Sequence, residues 1–411
     1  MKRYDTIIVG AGAAGLYCAA RMNPETSGSV LLLEKTEKTG TKLLMSGAGQ
    51  CNLTHGGNIK DFLTCYGSQG PRIRTTLYAH NNLAVCDFFA SLNVPITERD
   101  DGKIFPVSMD AHDVRDALLS AVRKSGIQLQ TGAAVTKIQT AEGIWMITDS
   151  QGRQWSSHHL ILACGGCSYP TTGSDGSIFP VLQRDLGLEI ISPAPALTPV
   201  FVEDYPFAEL SGISFQNVEI TTNPGSAESR RFSGDLLLTH RNLSGPVILN
   251  NSRFMKTGMR FQINFIFPHT KDSMLQTMQK AFPKNSRTAE HWLSSEYGLP
   301  KRFCEVLAEK AGLARRKVST LSGEERKTLA DKTAAASFVI SGFGSFRQAM
   351  ATSGGVALSE LSLKTMEAKR FPGLYLIGEM VDVDGDTGGY NLQFAFASAA
   401  AAAKAVCTGT K

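Results

Sequence analysis

Long apolar runs are missing from this sequence of 411 residues. No segment therefore reads as a membrane-spanning helix, which needs about 20 consecutive apolar residues. Dense stripes of Lys and Arg are missing too. The formal net charge is only +5, which gives no reason to expect a nucleic-acid or membrane partner. There is no internal repeat, and the one Ala-rich stretch, near the C-terminus, reads as helix. The eight cysteines are scattered, unlike a disulfide framework, and fit reduced thiols. A signal peptide is lacking as well. Lys2-Arg3 before an apolar run imitates one, but three closely spaced glycines and a second strand follow at once. Composition is that of a soluble globular chain, the default location is cytoplasmic, and the length predicts two or three domains.

What is present begins immediately. Thr6 to Val9 is a short β-branched run of the kind found in a buried parallel strand. Gly10, Gly12 and Gly15 follow in the G-x-G-x-x-G spacing. Gly10 permits a tight turn, Gly12 lets the backbone approach a pyrophosphate, and Gly15 lets the next helix pack on the strand. That helix, from Ala13 and Ala14 to Met22, points its free N–H groups at the phosphates. Val30 to Leu33 predicts a second strand ending in Glu34, with Lys35 after it. Glu34 sits about 20 residues past the fingerprint, where a carboxylate accepts from a ribose diol and repels a 2′-phosphate. This is a dinucleotide site. No second fingerprint occurs, so a nicotinamide donor would visit through the substrate cleft, or an organic substrate would reduce the cofactor.

The other end of the chain looks like the second half of the same site. Leu374 to Ile377 predicts a strand, Gly378 and Glu379 follow, and after a glycine-rich loop Asn391 and Leu392 open an Ala-rich helix of high intrinsic propensity. The loop Thr36 to Thr54 is rich in Gly, Ser, Asn and Lys, and longer than an NAD site needs. It suggests a longer cofactor, FAD. Lys42 would meet phosphate. The backbone from Ser46 to Asn52, with Gly49, Gln50 and Cys51, would line the flavin, and Val135 would lie by the adenine.

The motifs Lys-Leu-Leu-Met-Ser-Gly-Ala-Gly-Gln-Cys-Asn-Leu-Thr (42–54), Gly-Gly-Cys-Ser-Tyr-Pro-Thr-Thr-Gly (165–173), Thr-His-Arg-Asn-Leu-Ser-Gly-Pro (239–246), Thr-Ser-Gly-Gly-Val (352–356) and Gly-Glu to Asn-Leu-Gln (378–393) carry a resemblance. With them the chain resembles the BaiN/RdsA-like flavoproteins, also called YhiN-like or aminoacetone-oxidase-type, over nearly its whole length. It departs at Gln50, where the family usually has arginine, at His55, usually asparagine, and at Cys164, usually threonine. The resemblance implies non-covalent FAD, Glu379 on the ribitol, and the helix from Asn391-Leu392 aimed at the flavin pyrimidine. A helix N-terminus there would stabilise the charge of a reduced flavin.

The fold class expected is α/β: a Rossmann-type FAD-binding domain split by an inserted β domain that carries a nested helical subdomain. The expected boundaries are 1–195 for the first part of the FAD domain, 196–270 with 334–345 for the β insert, 271–333 for the helical subdomain, and 346–411 for the return. Within them, Asp113 to Ser125 predicts a helix and Gly126 to Gln130 and Val135 to Gln139 predict strands. Ile144 to Asp149 with Gln154 to Ala163 predicts a hairpin returning to the sheet. The Pro-rich stretch between Leu188 and Pro199 predicts the exit. Strands are expected at 199–202, 218–222, 235–239, 260–267 and 338–341, and Leu293, Leu299, Phe303, Val306, Leu307 and Leu313 should form the helical core.

Two side chains are the catalytic candidates. His240 ends a strand of the insert and could exchange a proton, since histidine changes charge near neutral pH. Tyr390 precedes the terminal helix, and its hydroxyl could polarise a carbonyl; Tyr169 is a weaker third. Each has an ordinary structural reading beside the functional one. Cys164 and Cys167 form a C-x-x-C that falls incidentally in a glycine turn, and Cys51 reads as a space filler. Asp382, Asp384 and Asp386 read as turn residues, so no metal is expected. The lead reading is an FAD-dependent oxidoreductase acting on a small molecule. Resemblance favours reduction of a C=C beside a ketone, as in 3-oxo-Δ4 or Δ6 bile-acid steroids, with NADH or NADPH as transient donor. An aminoacetone-type amine oxidase and a non-catalytic flavin-binding protein are the rivals.

Overall fold

Thr6 to Val9 and Val30 to Leu33 are buried at every residue, as strands covered on both faces must be. In the computed structural model, which describes residues 2–409, they belong to β1 (Lys2–Val9) and β2 (Val30–Leu33), paired in parallel. On the far side of β1 lie β3 (Gln154–Leu162) and then β4 (Leu374–Leu376), again parallel. The strand Gln128–Gln130 extends the sheet beyond β2. Register sets Val9 opposite Leu33 and Leu162, and Leu162 opposite Leu376. The loops after these four strands therefore leave along one edge of the sheet. The chain builds outward from β1 on one side and returns on the other, so the crevice of a doubly wound sheet opens at the carboxyl end of β1.

The hairpin expected from Ile144 to Ala163 is present, with β3 as its second strand. Val135–Ala141 and Ile144–Asp149 run antiparallel, and the latter pairs antiparallel with β3, which turns β3 parallel to β1. Helix α1 (Ala13–Ala20) packs against α2 (Tyr390–Gly409), with the Tyr17 and Phe396 rings 4.5 Å apart. The alanines of α2 keep its surface low enough for that approach. The Pro-rich stretch expected only as an exit holds a strand, Ile190–Ala196, antiparallel to Ala351–Val356 with a bulge between Ile191 and Ala194. A two-stranded ribbon has open edges, so Pro193 and Pro195 need not donate there.

This unit comprises the residues up to 196 and from 346 onward; residues 197–345 form a second unit with its own core. Six strands close into a barrel in the order 200–202, 243–244, 230–238, 214–222, 260–264 and 336–343. Closure leaves no unpaired edge. Four helices, Lys271–Ala281, Ala289–Tyr297, Lys301–Lys310 and Gly323–Ala334, are inserted before the last strand. Phe303 joins them to the barrel, with ring centroids 4.6 Å from Phe215 and 4.7 Å from Phe265. Of the expected helical core Val306 alone is only partly buried. Its helix turns Phe303, Cys304, Leu307 and Ala308 inward and leaves 306 at the margin of that stripe. The strand expected at 260–267 stops at Asn264, whose side chain accepts from the Ile266 N–H and turns the chain.

One buried pair in the first unit predicts an acid limit. His80 Nε2 lies 2.7 Å from the Tyr17 hydroxyl. Burial pushes the imidazole down to about 4 and raises the phenol, so a neutral ring shares this hydrogen bond with a neutral phenol. In the unfolded chain His80 titrates at its ordinary value of 6.5. Below that pH the unfolded chain binds a proton that the fold excludes. Stability therefore falls as pH drops from 6.5 to about 4 and levels off below. A shift of this size amounts to about 3 kcal/mol. Urea midpoints near neutral pH and near pH 4 should show a smaller loss for His80→Gln than for the wild type; equal losses would exclude His80 as the cause.

Candidate functional site

The fingerprint glycines divide into two kinds when a Cβ is placed on each. At Gly10, with φ +104°, it would stand 2.4 Å from the Ala163 carbonyl oxygen, and at Gly15 it would stand 1.8 Å from that of Gly10. Packing of β1, α1 and the loop after β3 requires both. At Gly12 it would meet no protein atom within 4 Å. Nothing in the protein demands that glycine, so the space over it is open to a ligand. No side chain caps α1, so the helix presents uncompensated N–H groups beside that space. Ala13 and Ala14 form its first turn.

Glu34 is held from both sides. One carboxylate oxygen accepts from the Ala11 N–H at 2.8 Å, the other from the Thr36 N–H and hydroxyl at 2.9 Å each. Lys35 pairs with Asp175 at 2.7 Å. Ala133 donates to the Glu34 carbonyl at 2.8 Å, which brings the half-buried Val135 into this neighbourhood.

The loop after residue 42 is conformationally unusual. Gly47, Ala48, Gly49 and Cys51 all have positive φ, +57°, +56°, +89° and +60°. Two of these are not glycine, and such strain is retained where the surroundings over-determine it. Cys51 is buried and its thiol is pushed up to about 12 by burial, so it stays protonated at neutral pH. Gln50 caps the segment, half-buried. Asn52 is buried, and its Oδ1 has no partner among the described residues. A buried acceptor without a donor costs about 1–3 kcal/mol, and a bound group with an N–H or O–H would remove that cost.

The C-terminal half meets this loop through Glu379. Its carboxylate accepts from the Lys42 ammonium, from the Ser168 hydroxyl at 2.7 Å and from the Thr352 N–H at 3.0 Å. Lys42 also donates to Ser168, and the Thr352 hydroxyl accepts from the Cys167 and Ser168 N–H groups. The ammonium expected to meet phosphate thus lies on a carboxylate. A Cβ on Gly378 would meet Ala14 Cβ at 2.8 Å, so the fingerprint helix and the Gly-Glu turn abut. At the start of α2, Asn391 spans Gly385 with two hydrogen bonds, 2.9 Å from its N–H and 2.8 Å to its carbonyl, and Leu392 is half-buried. Gln393 is fully buried; it accepts from Thr54 at 2.7 Å and donates to the His80 carbonyl at 2.9 Å. Ser168, Thr352, Thr54 and Gln393 were absent from the residues chosen from sequence. All four lie inside the quoted motifs, which was the available signal.

Tyr390 stacks on His55, centroids 5.3 Å apart and 15° between planes, with Phe62 edge-on at 5.1 Å. Its phenol is raised, first by burial, and bonds Cys65. Tyr169 adopts a left-handed conformation before Pro170, and its N–H donates to the Phe346 carbonyl. His240 belongs to the second unit, exposed after strand 230–238, and its ring makes no hydrogen bond among the described residues. Cys164 is pushed up to about 12 and Cys167 is raised, both chiefly by burial, which disfavours a reactive dithiol. Asp382 accepts from the Gly354 N–H and from Gln69, and burial raises its carboxyl. Among the described residues no group of three or more His, Cys, Asp or Glu is placed to hold a metal.

Residues 4–405 match the family described as HI0933-like protein Rossmann domain. The chain is similar to a Haemophilus influenzae protein named ribosomal RNA dihydrouridine synthase, 31% identical over 99% of each chain. It is also similar to a Clostridium scindens protein named 3-dehydro-bile acid delta(4,6)-reductase, 29% identical over 97% of this chain and 98% of the other. Among solved structures, 3-ketosteroid-delta4-(5alpha)-dehydrogenase from Rhodococcus jostii RHA1 shares the fold, with a TM-score of 0.52 at 15% identity over 98% of this chain and 97% of that one.

Two measurements check this geometry. Gly12→Ala should keep the wild-type melting temperature and weaken FAD uptake, whereas Gly15→Ala should lose about 3 kcal/mol of stability through overpacking. Equal behaviour of the two would contradict an open wall at Gly12. Glu379→Ala strands the Lys42 ammonium and the Thr352 N–H and should cost about 3 kcal/mol in denaturant unfolding, with Glu379→Gln recovering part of it. An unchanged midpoint for Glu379→Ala would show that the network is not structural.

Proposed function

We propose that this chain, which belongs to the HI0933-like Rossmann-domain family, is an FAD-dependent oxidoreductase that reduces a C=C bond conjugated to a carbonyl. The observation that carries the cofactor is the open wall over Gly12, beside two glycines that packing fully explains. The buried, unpartnered Asn52 Oδ1 and the uncapped α1 fit the same ligand. Gly12, Ala13 and Ala14 would hold its pyrophosphate, Glu34 a ribose diol, and the 46–52 backbone the ring system. When bound, FAD supplies hydride transfer between a nicotinamide and the substrate. Glu379, tied to Lys42 and Ser168, would keep the C-terminal wall in register with α1.

The bond reduced is the point on which two differently named relatives agree. Dihydrouridine is uridine with two hydrogens added across C5=C6, a bond conjugated to the C4 carbonyl. A 3-oxo-Δ4 steroid presents a like conjugated enone, and a Δ6 bond joins that conjugation through Δ4. In either, hydride adds at the β carbon and negative charge develops on the carbonyl oxygen, which needs a hydrogen-bond or proton donor. Tyr390 suits that role because its phenol stays protonated at neutral pH. His240 is the second proposed donor. The cytoplasm, NADH or NADPH as donor, and a catalytic step at Tyr390 are parts of this proposal.

The test is anaerobic. The yellow protein is mixed with NADH, NADPH or aminoacetone, and bleaching of the flavin band is followed. It is then reoxidised with uridine or with a 3-oxo-Δ4 steroid. Bleaching by a nicotinamide and recovery with an enone are expected, and Tyr390→Phe should slow the recovery by about 100-fold. Bleaching by aminoacetone alone, or by no donor, would overturn the reductase reading.

A further inference from the structure

The mild net charge hides an uneven distribution. Residues 197–345 contain 19 Lys and Arg against 14 Asp and Glu, whereas the remainder of the chain holds 23 of each. The whole excess of +5 thus lies in the barrel unit. Within it, residues 230–260 carry six Lys and Arg and a single acid, Asp235.

Two of these cations, Arg230 and Arg253, flank an exposed aromatic ring. Phe254 is 39% exposed, on a short turn after the barrel strand pair. The Arg230 guanidinium lies 5.0 Å from its centroid and that of Arg253 5.7 Å. Phe232 stacks beside it, 6.0 Å away with 8° between planes. Arg230 and Phe232 are two residues apart on one strand and so project from the same face. Arg230 and Arg231 are both exposed. Two parallel phenyl rings flanked by guanidinium groups match unpaired bases joined by phosphates. Aromatic faces take bases without regard to sequence, and the cations neutralise the backbone. A bile acid carries one carboxylate, whereas a nucleic-acid strand carries a charge at every phosphate.

We infer that the barrel face around Phe254, Arg230 and Arg231 binds single-stranded RNA, the polymer that would carry a uracil substrate. This deepens the reductase reading and rests on it for the substrate's chemistry. Bases must be unstacked to lie on Phe254, which favours a loop or single strand over a duplex.

The experiment uses the full-length flavoprotein and a fluorescein-labelled, uridine-rich single-stranded RNA, with fluorescence anisotropy across a salt series. Wild type should bind with strong salt dependence. Phe254→Ala should weaken binding about tenfold, as loss of one stacked base implies, and Phe254→Tyr should restore it. Arg230→Ala should lower the slope of log affinity against log salt by about 0.7. All variants should reduce a free small enone at the wild-type rate, which shows that they are folded. No RNA binding at low salt, or equal binding by Phe254→Ala, overturns the inference. If RNA binds through Phe254 but no dihydrouridine forms, the surface stands and the reductase reading falls. If uridine in RNA is reduced equally by wild type and Phe254→Ala, the reading stands and the surface falls.

Discussion

The Glu379 carboxylate gathers donors that lie 27, 211 and 337 residues away: the Thr352 N–H, the Ser168 hydroxyl and the Lys42 ammonium. Lys42 and Ser168 stand in the loops after β2 and β3, and Thr352 stands in the strand Ala351–Val356. A partly buried carboxylate is costly unless it is paired and hydrogen-bonded, so these segments are held at the positions that satisfy it. The crevice at the end of β1 inherits its far wall from that constraint. Without it, the residues after β4 would have no fixed height relative to α1. The touching pair of Ala14 and Gly378 shows how closely that height is set.

The near wall is set by sterics. β1 and β3 approach so closely at their ends that Gly10 cannot carry a side chain, and α1 descends so steeply that Gly15 cannot either. Gly12 stands between them with open space in front of it. The contrast turns a common motif into an argument about a ligand, because packing accounts for two glycines and leaves the third to something the chain itself does not supply. Strain at Ala48 and Cys51 and the orphan acceptor on Asn52 continue the same surface along the next loop. One wall is therefore set by steric packing and the other by electrostatics.

The second unit obeys a different logic. Its core closes on aromatic rings, Phe215, Phe265 and Phe303, that bind barrel to helices. The net positive charge of the whole chain also lies within this unit. The first unit is neutral overall and the second is cationic.

Local pattern was enough for β1, β2, the hairpin into β3, α2 and the α/β class, because strand and helix periodicity and glycine spacing are written in consecutive residues. The resemblance carried by five motifs likewise located the loops around the crevice. The same patterns were blind to Ser168, Thr352 and Gln393, which have partners 184 and 339 residues distant among others. They were blind to the strand at 190–196 because two prolines mask it, and to the crowding of Phe254 by Arg230, which needs strand 230–238 and turn 252–254 brought side by side. By itself the sequence determined which segments are strands and helices and that a dinucleotide fingerprint opens the chain, since backbone conformation and turn geometry are local. Only the tertiary structure decided which glycine faces open space, which donors share the Glu379 carboxylate and where the positive charge is exposed, since each depends on atoms that folding alone brings within a few ångströms.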